Sequence, residues 1–316
     1  MSKKPKISVV VAAYNIADFI SQCFESIISQ TYDNYEVIVI NDGSTDNTLS
    51  ICQSYAKKHA NFIVINQKNQ GLSAVRNRGV KESTGEYITF VDGDDYLAPD
   101  YLQKLYQNLQ TSKSEISVCG FTTFPNQAIE LPRQEILSGQ DATIKLLTEQ
   151  DNYQIVSWNK LYKKSLFENI AFPIGKIHED SLTTYKLFAA ADKVSFLNES
   201  LYFYRQRKGS IMDQAKLYDR LNTKLLAATE AKTYFKKQPT LLAAAEISEL
   251  LAYFAFLDNI IASNLDVDPT PYFKWLKNHQ AELSKNPHLS AKLKVYLHLA
   301  TMLGGTPYQL FRKIKH

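Results

Sequence analysis

The sequence has little cysteine: Cys23, Cys52 and Cys119 are the only three among 316 residues. An odd number of widely spaced cysteines matches neither a disulfide framework nor a metal-ligating motif. Two of the three fall among the apolar positions of predicted helices. We therefore expect three reduced thiols in the core of a protein from a reducing compartment.

The sequence also lacks an uninterrupted apolar run of the roughly 18 residues that a membrane-spanning helix needs. The nearest stretch, residues 241–261, is broken by Glu246, Glu249 and Asp258. The apolar run Val9–Ala13 is too short for the core of a signal peptide. We expect a cytoplasmic protein that does not span a bilayer.

The formal net charge is only +4, and the excess of positive charge is confined to the C-terminal third. From Lys216 onward there are 14 Lys or Arg and 8 Asp or Glu, which leaves the first 215 residues with a net charge of −2. A basic helical segment either forms a solvated surface or docks on an anionic membrane. The sequence leaves peripheral contact with the inner membrane face open, and we expect no nucleic-acid partner.

Strands and helices alternate over the first hundred residues. Continuous apolar runs predict buried strands, and apolar positions three and four residues apart predict a helix after each of the first three. The predicted strands are Ile7–Ala13, Tyr35–Ile40, Phe62–Ile65 and Tyr87–Val91. This alternation predicts an α/β fold with a mostly parallel, Rossmann-like sheet. From Asp213 onward the pattern is helical, which predicts a separate C-terminal helical appendage.

Polar residues follow the predicted strands, and they should converge on one rim because ligands bind at the carboxyl ends of parallel strands. The sharpest of these motifs is Asp92-Gly93-Asp94-Asp95 after the fourth strand. It clusters carboxylate oxygens around a glycine, which suits Mg²⁺ or Mn²⁺ bridged to a diphosphate. The alternative is an acidic turn before the helix that follows Pro99.

Two further motifs point to a nucleotide. Asp42, after the second strand, has the position of the acidic residue that contacts a nucleoside in other parallel α/β sites. Asn-Asp-Gly-Ser is also an ordinary turn sequence. Gly71, Ser73 and Arg76 lie where a helix begins, and both helix N-terminal amides and guanidinium groups favour phosphate. An exposed arginine would instead be a solvated charge.

Four ordered motifs carry a family resemblance. VVVAAYN, NDGSTDNT, NQGLSAVRNRG and FVDGDDYL resemble the nucleotide-binding half of family 2 glycosyltransferases of the glycosyltransferase A fold. WNKLY, His178-Glu179-Asp180 and YRQR resemble the acceptor-side blocks of bacterial polysaccharide and adhesin-glycan enzymes. The resemblance implies a catalytic domain over residues 1–212, with a nucleotide-binding half to residue 98 and an acceptor half over 99–212. Residues 213–316 form the helical C-terminal domain.

The resemblance also implies a role for each matching residue. Asp42 would bind the base, Asp94 would hold a Mn²⁺ or Mg²⁺ that bridges both phosphates, and Asp92 would face the ribose and the metal. The other nucleotide contacts would be Ala13, Tyr14, Asn15, Gly71, Ser73, Arg76 and Gly93. Asp180 matches the catalytic base of an inverting displacement. An acidic residue at this place before an apolar run is also typical of a helix cap.

Six residues are expected to contact the acceptor or the diphosphate: Trp158, Lys160, His178, Glu179, Arg205 and Arg207. Simpler explanations stay open for several of them. A single tryptophan in an apolar stretch is usually a core residue, and a lone histidine near a helix start usually packs or forms a hydrogen bond. Arg205 and Arg207 would otherwise belong to a basic solvated loop.

The expected activity is inverting, metal-dependent transfer of a sugar, from a UDP-sugar by resemblance, to a hydroxyl of a glycan on a lipid or a protein. The alternative is a catalytically silent scaffold subunit that binds the sugar nucleotide, and Asp92, Asp94 and Asp180 argue against it. A nucleotidyltransferase would need a glycine-rich basic loop where AAYN stands. The C-terminal helices would pack on the catalytic domain, form a homo-oligomer or rest on the membrane.

Overall fold

The computed structural model describes residues 4–124, 127–129, 133–151, 153–176, 178–207, 217–262 and 266–303. The chain forms two compact units, one of residues 1–143 with 151–213 and the other of residues 144–150 with 214–316. The predicted boundary between residues 212 and 213 lies outside the described residues. The division of the first unit into a nucleotide-binding and an acceptor half stays a prediction.

The four predicted strands form a parallel half-sheet in the first unit. They are β1 (Ile7–Ala13), β2 (Tyr35–Asn41), β3 (Phe62–Asn66) and β4 (Tyr87–Asp92), in the order β3-β2-β1-β4. The intervening helices are α1 (Ile20–Ile28), α2 (Thr48–Lys58) and α3 (Leu72–Glu82). Side chains of β2 pack alternately into two clusters, one containing α1 and α2 residues and the other containing Val75 of α3. Burial on both faces explains the continuous apolar sequences of these strands.

The second half of the sheet is mixed, and strands β9, β6, β10 and β5 extend it from β4 in that order. Its strands are β5 (Tyr96–Leu97), β6 (Ile116–Phe124), β7 (Gln127–Ile129), β8 (Glu135–Ser138), β9 (Lys160–Lys163) and β10 (Lys193–Arg205). Its helices are α4 (Tyr101–Ser112), α5 (Gly139–Leu147), a 3₁₀ turn (Lys164–Phe167) and α6 (Thr184–Ala190). The predicted α/β fold with a mostly parallel sheet is confirmed, and the antiparallel pairs lie in this half.

Free, buried thiols contribute to the interior of the first unit. Cys23 of α1, Cys52 of α2 and Cys119 of β6 are all free and buried. They join the same apolar cluster. The prediction of three reduced core cysteines is therefore confirmed.

The second unit is helical, as predicted. Its long helices are α7 (Leu217–Tyr234), α8 (Pro239–Ala262), α9 (Thr270–Leu283) and α10 (Ala291–Leu303). Helix α8 begins at Pro239, and Pro287 lies in the connection between α9 and α10. Apolar residues of α8, α9 and α10 form a core of their own.

Helix α8 covers the apolar stretch, residues 241–261, whose sequence is too interrupted by acidic residues to predict a membrane span. Within the described residues it is the one helix long and apolar enough to cross a membrane by length and composition. More than half of its apolar stretch is buried within the structure. Glu249 is also buried in this helix, where it pairs with Lys232 at 2.6 Å. These features are typical of a core helix, and cytoplasmic localisation stays a prediction.

Candidate active site at the carboxyl edge of the sheet

The carboxyl ends of the parallel strands meet at one edge of the sheet. In the strand register, Ala13 lies beside Asn41, Asn41 beside Asn66, and Ala12 beside Asp92. The loops that follow these strands are therefore neighbours. The predicted convergence of their polar residues on one rim is confirmed by this register.

The loop after β1 is tied to the loop after β2. Asn15 has a left-handed backbone with a φ of 50°, a conformation that asparagine adopts more readily than most residues. Its Oδ1 accepts a hydrogen bond from the N–H of Thr45 at 2.8 Å, and its own N–H donates to the Oγ of Ser44 at 3.1 Å. Ala13 is buried, whereas the Tyr14 ring is 46% exposed. Asn15 thus fixes the loop and leaves Tyr14 accessible to a ligand.

Asp42 is buried and organises the loop before α3. Its carboxylate accepts hydrogen bonds from the side chain of Gln67 at 2.7 Å and from the N–H groups of Gln70 and Gly71 at 3.0 and 2.8 Å. Gly71 has a φ of 85°, which favours glycine. Asp42 therefore shapes the loop at the start of α3, and its contact with a nucleotide base stays a prediction.

Gly93 lies where the chain passes closest to β1. Its N–H donates to the carbonyl of Ala12 at 3.0 Å. A Cβ added at Gly93 would lie 2.5 Å from Cδ1 of Ile16 and 2.7 Å from the carbonyl oxygen of Ala12. The glycine is therefore required for the close approach that brings the flanking aspartates to the rim.

Asp94 and Asp95 follow Gly93 but have different surroundings. The Asp94 carboxylate is partly exposed and pairs through Oδ2 with the Nε of Arg207 at 2.7 Å. Asp95 is 1% exposed, and its carboxylate accepts hydrogen bonds from the Tyr202 hydroxyl at 2.6 Å and the N–H of Arg205 at 2.7 Å. Burial raises the pKa of Asp95 well above its ordinary value, and the charge of Asp94 raises it further. Asp94 faces the rim, whereas Asp95 anchors β10.

Arg205 and Arg207 lie at and just after the end of β10, and neither is simply solvated. Arg205 donates from Nε to the carbonyl of Asp94 at 2.8 Å, and its guanidinium packs over the rings of Phe19 and Tyr96 at 5.1 and 5.9 Å. Arg207 lies over the Phe19 ring at 5.4 Å. Both arginines therefore reach the rim, with Arg207 paired to the predicted metal ligand.

Arg76 of α3 is buried between two carboxylates. Its Nη1 pairs with Glu179, and its Nη2 lies 3.3 Å from Oδ1 of Asp92. Burial lowers the pKa of Arg76, but the charges of Glu179, Asp92 and Asp180 outweigh this effect and raise it. Its Nε–H is buried with no hydrogen-bond acceptor in the part of the chain that the structure describes. Arg76 therefore links Asp92 at the rim to Glu179 of the Glu-Asp pair.

Asp180 is partly buried beside this ion pair. Its Oδ1 accepts a hydrogen bond from the N–H of Ser181 at 2.8 Å, in the turn that precedes α6. Burial raises its pKa above the ordinary carboxyl value, and the charge of Asp92 adds to the effect, while Arg76 and Lys160 oppose it. A raised pKa makes the carboxylate a stronger base. Asp180 thus has the turn contact expected of a cap and the environment expected of a base.

Among the described residues of this rim, carboxyl groups outnumber guanidinium groups. The carboxyl groups are Asp92, Asp94, Asp95, Glu179 and Asp180, and the guanidinium groups are Arg76, Arg205 and Arg207. Burial is the largest cause of the raised pKa of Asp92 and of Glu179, and neighbouring carboxylates contribute to both. A divalent cation would offset this excess of negative charge.

The donor set at the rim fits magnesium or manganese in part. Asp92 and Asp94 offer the hard oxygen ligands that these ions prefer. Within the described ranges, no group of three or more His, Cys, Asp or Glu residues is placed to hold a metal on its own. A bound metal would therefore need further oxygens from a diphosphate or from water, as is usual for magnesium at phosphate sites.

Trp158 and Lys160 lie in the interior. Trp158 is 6% exposed and stacks on the rings of Tyr202 and Tyr204 at centroid distances of 4.6 and 5.3 Å. The Nζ of Lys160 is buried and donates to carbonyl oxygens of Gln154 and Val156 at 3.0 and 2.7 Å. Burial lowers its pKa to about 7. Their environment is that of core residues, and their predicted contact with an acceptor stays untested.

The remaining predicted residues have mixed surroundings. His178 is partly buried with a left-handed φ of 57°, and its carbonyl accepts a hydrogen bond from the N–H of Ser181 at 3.1 Å. The hydroxyl of Ser73 donates to the carbonyl of Pro173 at 2.6 Å. Ser73 therefore contacts the segment before the Glu-Asp pair, and its role in nucleotide binding stays a prediction.

Sequence reasoning missed Tyr202, Phe172 and Asn77. The Tyr202 hydroxyl accepts a hydrogen bond from the N–H of Asp92 at 3.2 Å and donates to Asp95. The Phe172 ring lies 5.6 Å below the Arg76 guanidinium. Asn77 could have been identified from the sequence, because it lies in the same motif as Arg76 and four residues after Ser73, on the same side of the helix. No local pattern identified the two aromatic residues, because their partners lie far away in sequence.

Comparisons with known proteins find similarity to glycosyltransferases. A family model described as glycosyl transferase family 2 matches residues 8–175. The chain is 38% identical over 219 residues to glycosyltransferase GlyA of Streptococcus pneumoniae serotype 4, an alignment that covers 65% of this chain and 31% of GlyA. It is 36% identical over 227 residues to glycosyltransferase EpsH of Bacillus subtilis, covering 68% of this chain and 65% of EpsH. The chain thus spans less than two thirds of the length of these two relatives.

A solved structure shares the fold over nearly the whole chain. Residues 1–349 of S. aureus TarS, crystallised in complex with UDP-GlcNAc, superpose with a TM-score of 0.72. The alignment covers 98% of this chain and 91% of that structure, at 24% sequence identity. At this identity the similarity establishes the fold, including the presence of C-terminal helices.

Proposed function

The chain belongs to glycosyl transferase family 2, and we propose that it transfers a sugar with inversion from a UDP-sugar to a hydroxyl of a growing glycan. One observation carries this proposal. Arg76 contacts Asp92 at the rim and Glu179 of the Glu-Asp pair, and the charge of Asp92 acts on Asp180, so Asp180 lies near a predicted metal ligand. A base and a charge-stabilising site on one rim are what a displacement at an anomeric carbon requires.

The donor would lie along the carboxyl edge of the parallel half-sheet. Tyr14 is exposed there, Gly71 opens α3, and Asp42 holds the loop between them. The N-terminus of α3 favours a phosphate because its first amides have no partners within the helix. UDP is the favoured nucleotide, since TarS, which shares this fold, was crystallised with UDP-GlcNAc.

Asp94, together with Asp92, would hold a Mn²⁺ or Mg²⁺. When bound, such an ion neutralises charge that develops on a departing diphosphate. The chain's own cationic groups contribute in the same direction, because Arg207 lies at the rim beside Asp94. Binding would require Asp94 to share its carboxylate or to release Arg207.

Asp180 would act as the general base. Its carboxylate takes the proton of the acceptor hydroxyl as the acceptor oxygen forms a bond to the anomeric carbon. The bond from that carbon to the diphosphate oxygen breaks at the same time, and the bonding electrons leave with the nucleoside diphosphate. Burial favours this reaction, because it raises the pKa of Asp180 and thus its basicity.

The acceptor would be a glycan on a lipid or a protein, as for enzymes of bacterial surface glycans. The reaction would take place in the cytoplasm, where nucleotide sugars are made, with the basic helical unit free to contact the inner membrane face or a second copy of the chain. A catalytically silent scaffold that binds the sugar nucleotide is the competing proposal. The presence of Asp92, Asp94 and Asp180 together argues for a catalyst, because a binding scaffold needs no carboxylate base close to a predicted metal ligand.

The test is the release of nucleoside diphosphate from a panel of sugar nucleotides with and without manganese. Wild type, Asp94→Ala and Asp180→Asn are compared, and binding calorimetry on the same panel accompanies the assay. Metal-dependent turnover of one donor that is lost in Asp94→Ala would support the enzyme. Tight donor binding without turnover in the presence of candidate acceptors would favour the scaffold. No binding of any donor would overturn both.

A further inference from the structure

One face of α3 holds the segment that leads to the Glu-Asp pair. Ser73, Arg76 and Asn77 are three and four residues apart and so lie on one side of the helix. All three contact what we call the acceptor-side segment, residues 172–176 and 178–180. These three residues are called the α3 clamp below.

Asn77 binds the beginning of this segment through both of its side-chain groups. Its Oδ1 accepts a hydrogen bond from the N–H of Phe172 at 2.9 Å, and its Nδ2 donates to the carbonyl of Phe172 at 2.8 Å. The hydroxyl of Ser73 holds the next carbonyl, that of Pro173, at 2.6 Å. The backbone at residues 172 and 173 is therefore fixed to α3 by three hydrogen bonds.

Arg76 binds the other end of the segment. Its guanidinium pairs with the buried carboxylate of Glu179 and packs over the Phe172 ring at 5.6 Å. Glu179 begins the turn that carries Asp180, and its carbonyl accepts hydrogen bonds from the N–H of Leu182 at 3.2 Å and the hydroxyl of Thr183 at 2.8 Å. The side chain of Glu179 is thus committed to Arg76, and its backbone to the turn.

In the middle of the segment, the described residues 174–176 make no hydrogen bond to α3. Ile174 is 69% exposed, and Gly175 has a φ of 75° with open space around it in the described structure. A segment with an exposed middle needs its two ends fixed if the residue that follows is to hold a constant position. Over the described ranges, the hydrogen bonds of Asp180 are all local: its carboxylate accepts from the N–H of Ser181, and its carbonyl accepts from the N–H groups of Thr183 and Thr184 at 3.0 and 2.9 Å.

We propose that the α3 clamp and Glu179 are positioning residues that hold Asp180 in place for proton transfer. This inference rests on the proposed function. It assigns Glu179 to Arg76 rather than to the acceptor or the diphosphate, and it assigns Ser73 to the acceptor side rather than to the nucleotide. It also gives a role to Asn77, for which the sequence predicted none. Helix α3 begins at the loop that Asp42 holds, where the donor is proposed to bind. The same helix would therefore fix the position of Asp180 relative to the donor.

The first test compares Asn77→Ala and Ser73→Ala with Lys81→Ala, an exposed residue at the far end of α3 that serves as the control. Both clamp variants keep every charge of the site. Asn77→Ala should lower kcat by about 10-fold to 100-fold, the loss typical of a slightly misplaced catalytic group. The Kd for UDP and the KM for the donor should change less than about 2-fold. An unchanged kcat, or losses of kcat and donor binding in parallel, would overturn the proposal.

The second test separates positioning from chemistry at Glu179. Glu179→Gln keeps an oxygen that accepts from Arg76, so it should retain most of the kcat that Glu179→Ala loses. A group that itself exchanged protons would lose as much activity in the glutamine variant as in the alanine variant. Equal losses in the two variants would contradict the assigned role.

The third test requires no activity. Hydrogen exchange at the amides of residues 181–184, which are hydrogen-bonded in the turn, should be faster in Asn77→Ala than in Lys81→Ala. Unchanged exchange would show that the clamp does not hold the turn. If wild type binds no sugar nucleotide and transfers no sugar, the proposed function has failed. The exchange data would still decide whether the clamp holds the turn.

Discussion

The Asp94 carboxylate pairs with the guanidinium of Arg207, with Oδ2 2.7 Å from Nε. This pair joins the loop after β4 to the residues just after β10. It also places a cation where a metal ion is proposed to bind. A metal and Arg207 would therefore compete for Asp94, whereas Asp95, buried beneath, takes part in neither interaction.

The two neighbouring aspartates should respond differently to substitution. Asp94→Asn should weaken Mn²⁺ binding in the presence of UDP by at least about 10-fold, because losing even an outer partner of a metal ligand costs this much and Asp94 is proposed as a direct ligand. Its free energy of unfolding should change by less than about 0.5 kcal/mol, as for other partly exposed sites. Calorimetric titration of Mn²⁺ and denaturant unfolding measure the two quantities.

Asp95→Ala is the matched variant. It should lower the free energy of unfolding by about 1–3 kcal/mol, because the Tyr202 hydroxyl and the Arg205 N–H lose their buried acceptor. Mn²⁺ binding by the folded fraction should persist. If Asp95→Ala abolished metal binding while Asp94→Asn retained it, the assignment of the two residues would be reversed.

Asp180→Asn should abolish sugar transfer without loosening the turn. The asparagine keeps an oxygen for the Ser181 N–H, so the local structure should remain, but it cannot accept the acceptor proton. We expect a fall in kcat of about 100-fold to 10,000-fold, the usual contribution of a general base. Donor binding by calorimetry should match wild type. Normal transfer by this variant would show that Asp180 serves only to cap the turn.

The parallel half of the fold could be predicted because its signals are local. The continuous apolar runs located β1 and β4 to within a residue, and the positions of α3 and its motif followed from helical spacing. The rim then followed from a general rule, that the carboxyl ends of parallel strands share an edge. Asp42 and Asp92 were placed there without knowledge of any contact.

The second half of the rim could not be predicted, because its contacts join distant residues. Strand β10 has thirteen residues and two shifts in its register with β6, and no simple alternation of apolar and polar residues marked it. Its Tyr202 lies 107 residues from its partner Asp95. Spacing also gives the position of a side chain but not its partner, so Ser73 was assigned to the nucleotide although its hydroxyl contacts Pro173.

Trp158 provides a direct test of core packing against sugar stacking. Trp158→Ala should lower the free energy of unfolding by about 3–5 kcal/mol, since it removes a buried ring that stacks on Tyr202 and Tyr204. Trp158→Phe keeps an aromatic ring and should cost less. In Trp158→Phe the KM for the acceptor should equal that of wild type. A selective rise in that KM, with stability unchanged, would instead indicate that the indole contacts the acceptor.

The amine of Lys160 should make stability depend on pH. Its Nζ is buried among carbonyl oxygens, and burial lowers its pKa to about 7, against the opposing charge of Asp180. In the unfolded chain a lysine has a pKa of about 10.4. Between these two values the unfolded chain binds the proton and the folded protein does not, so the free energy of unfolding rises with pH.

Lys160→Met removes this dependence while keeping a long side chain. From pH 7 to pH 9, the stability of wild type should therefore rise relative to the variant by about 2 kcal/mol, as the shift in pKa requires. Denaturant unfolding of both proteins at the two pH values measures the difference, and other titrating groups cancel because they are common to both. Parallel stability at pH 7 and pH 9 would mean that the buried amine keeps its proton, held by the carbonyl oxygens of Gln154 and Val156. In that case the folded protein would hold Lys160 as a buried, hydrogen-bonded ammonium ion. Lys160→Met would then remove both the charge and its hydrogen bonds, and it would lower stability by the same amount at every pH.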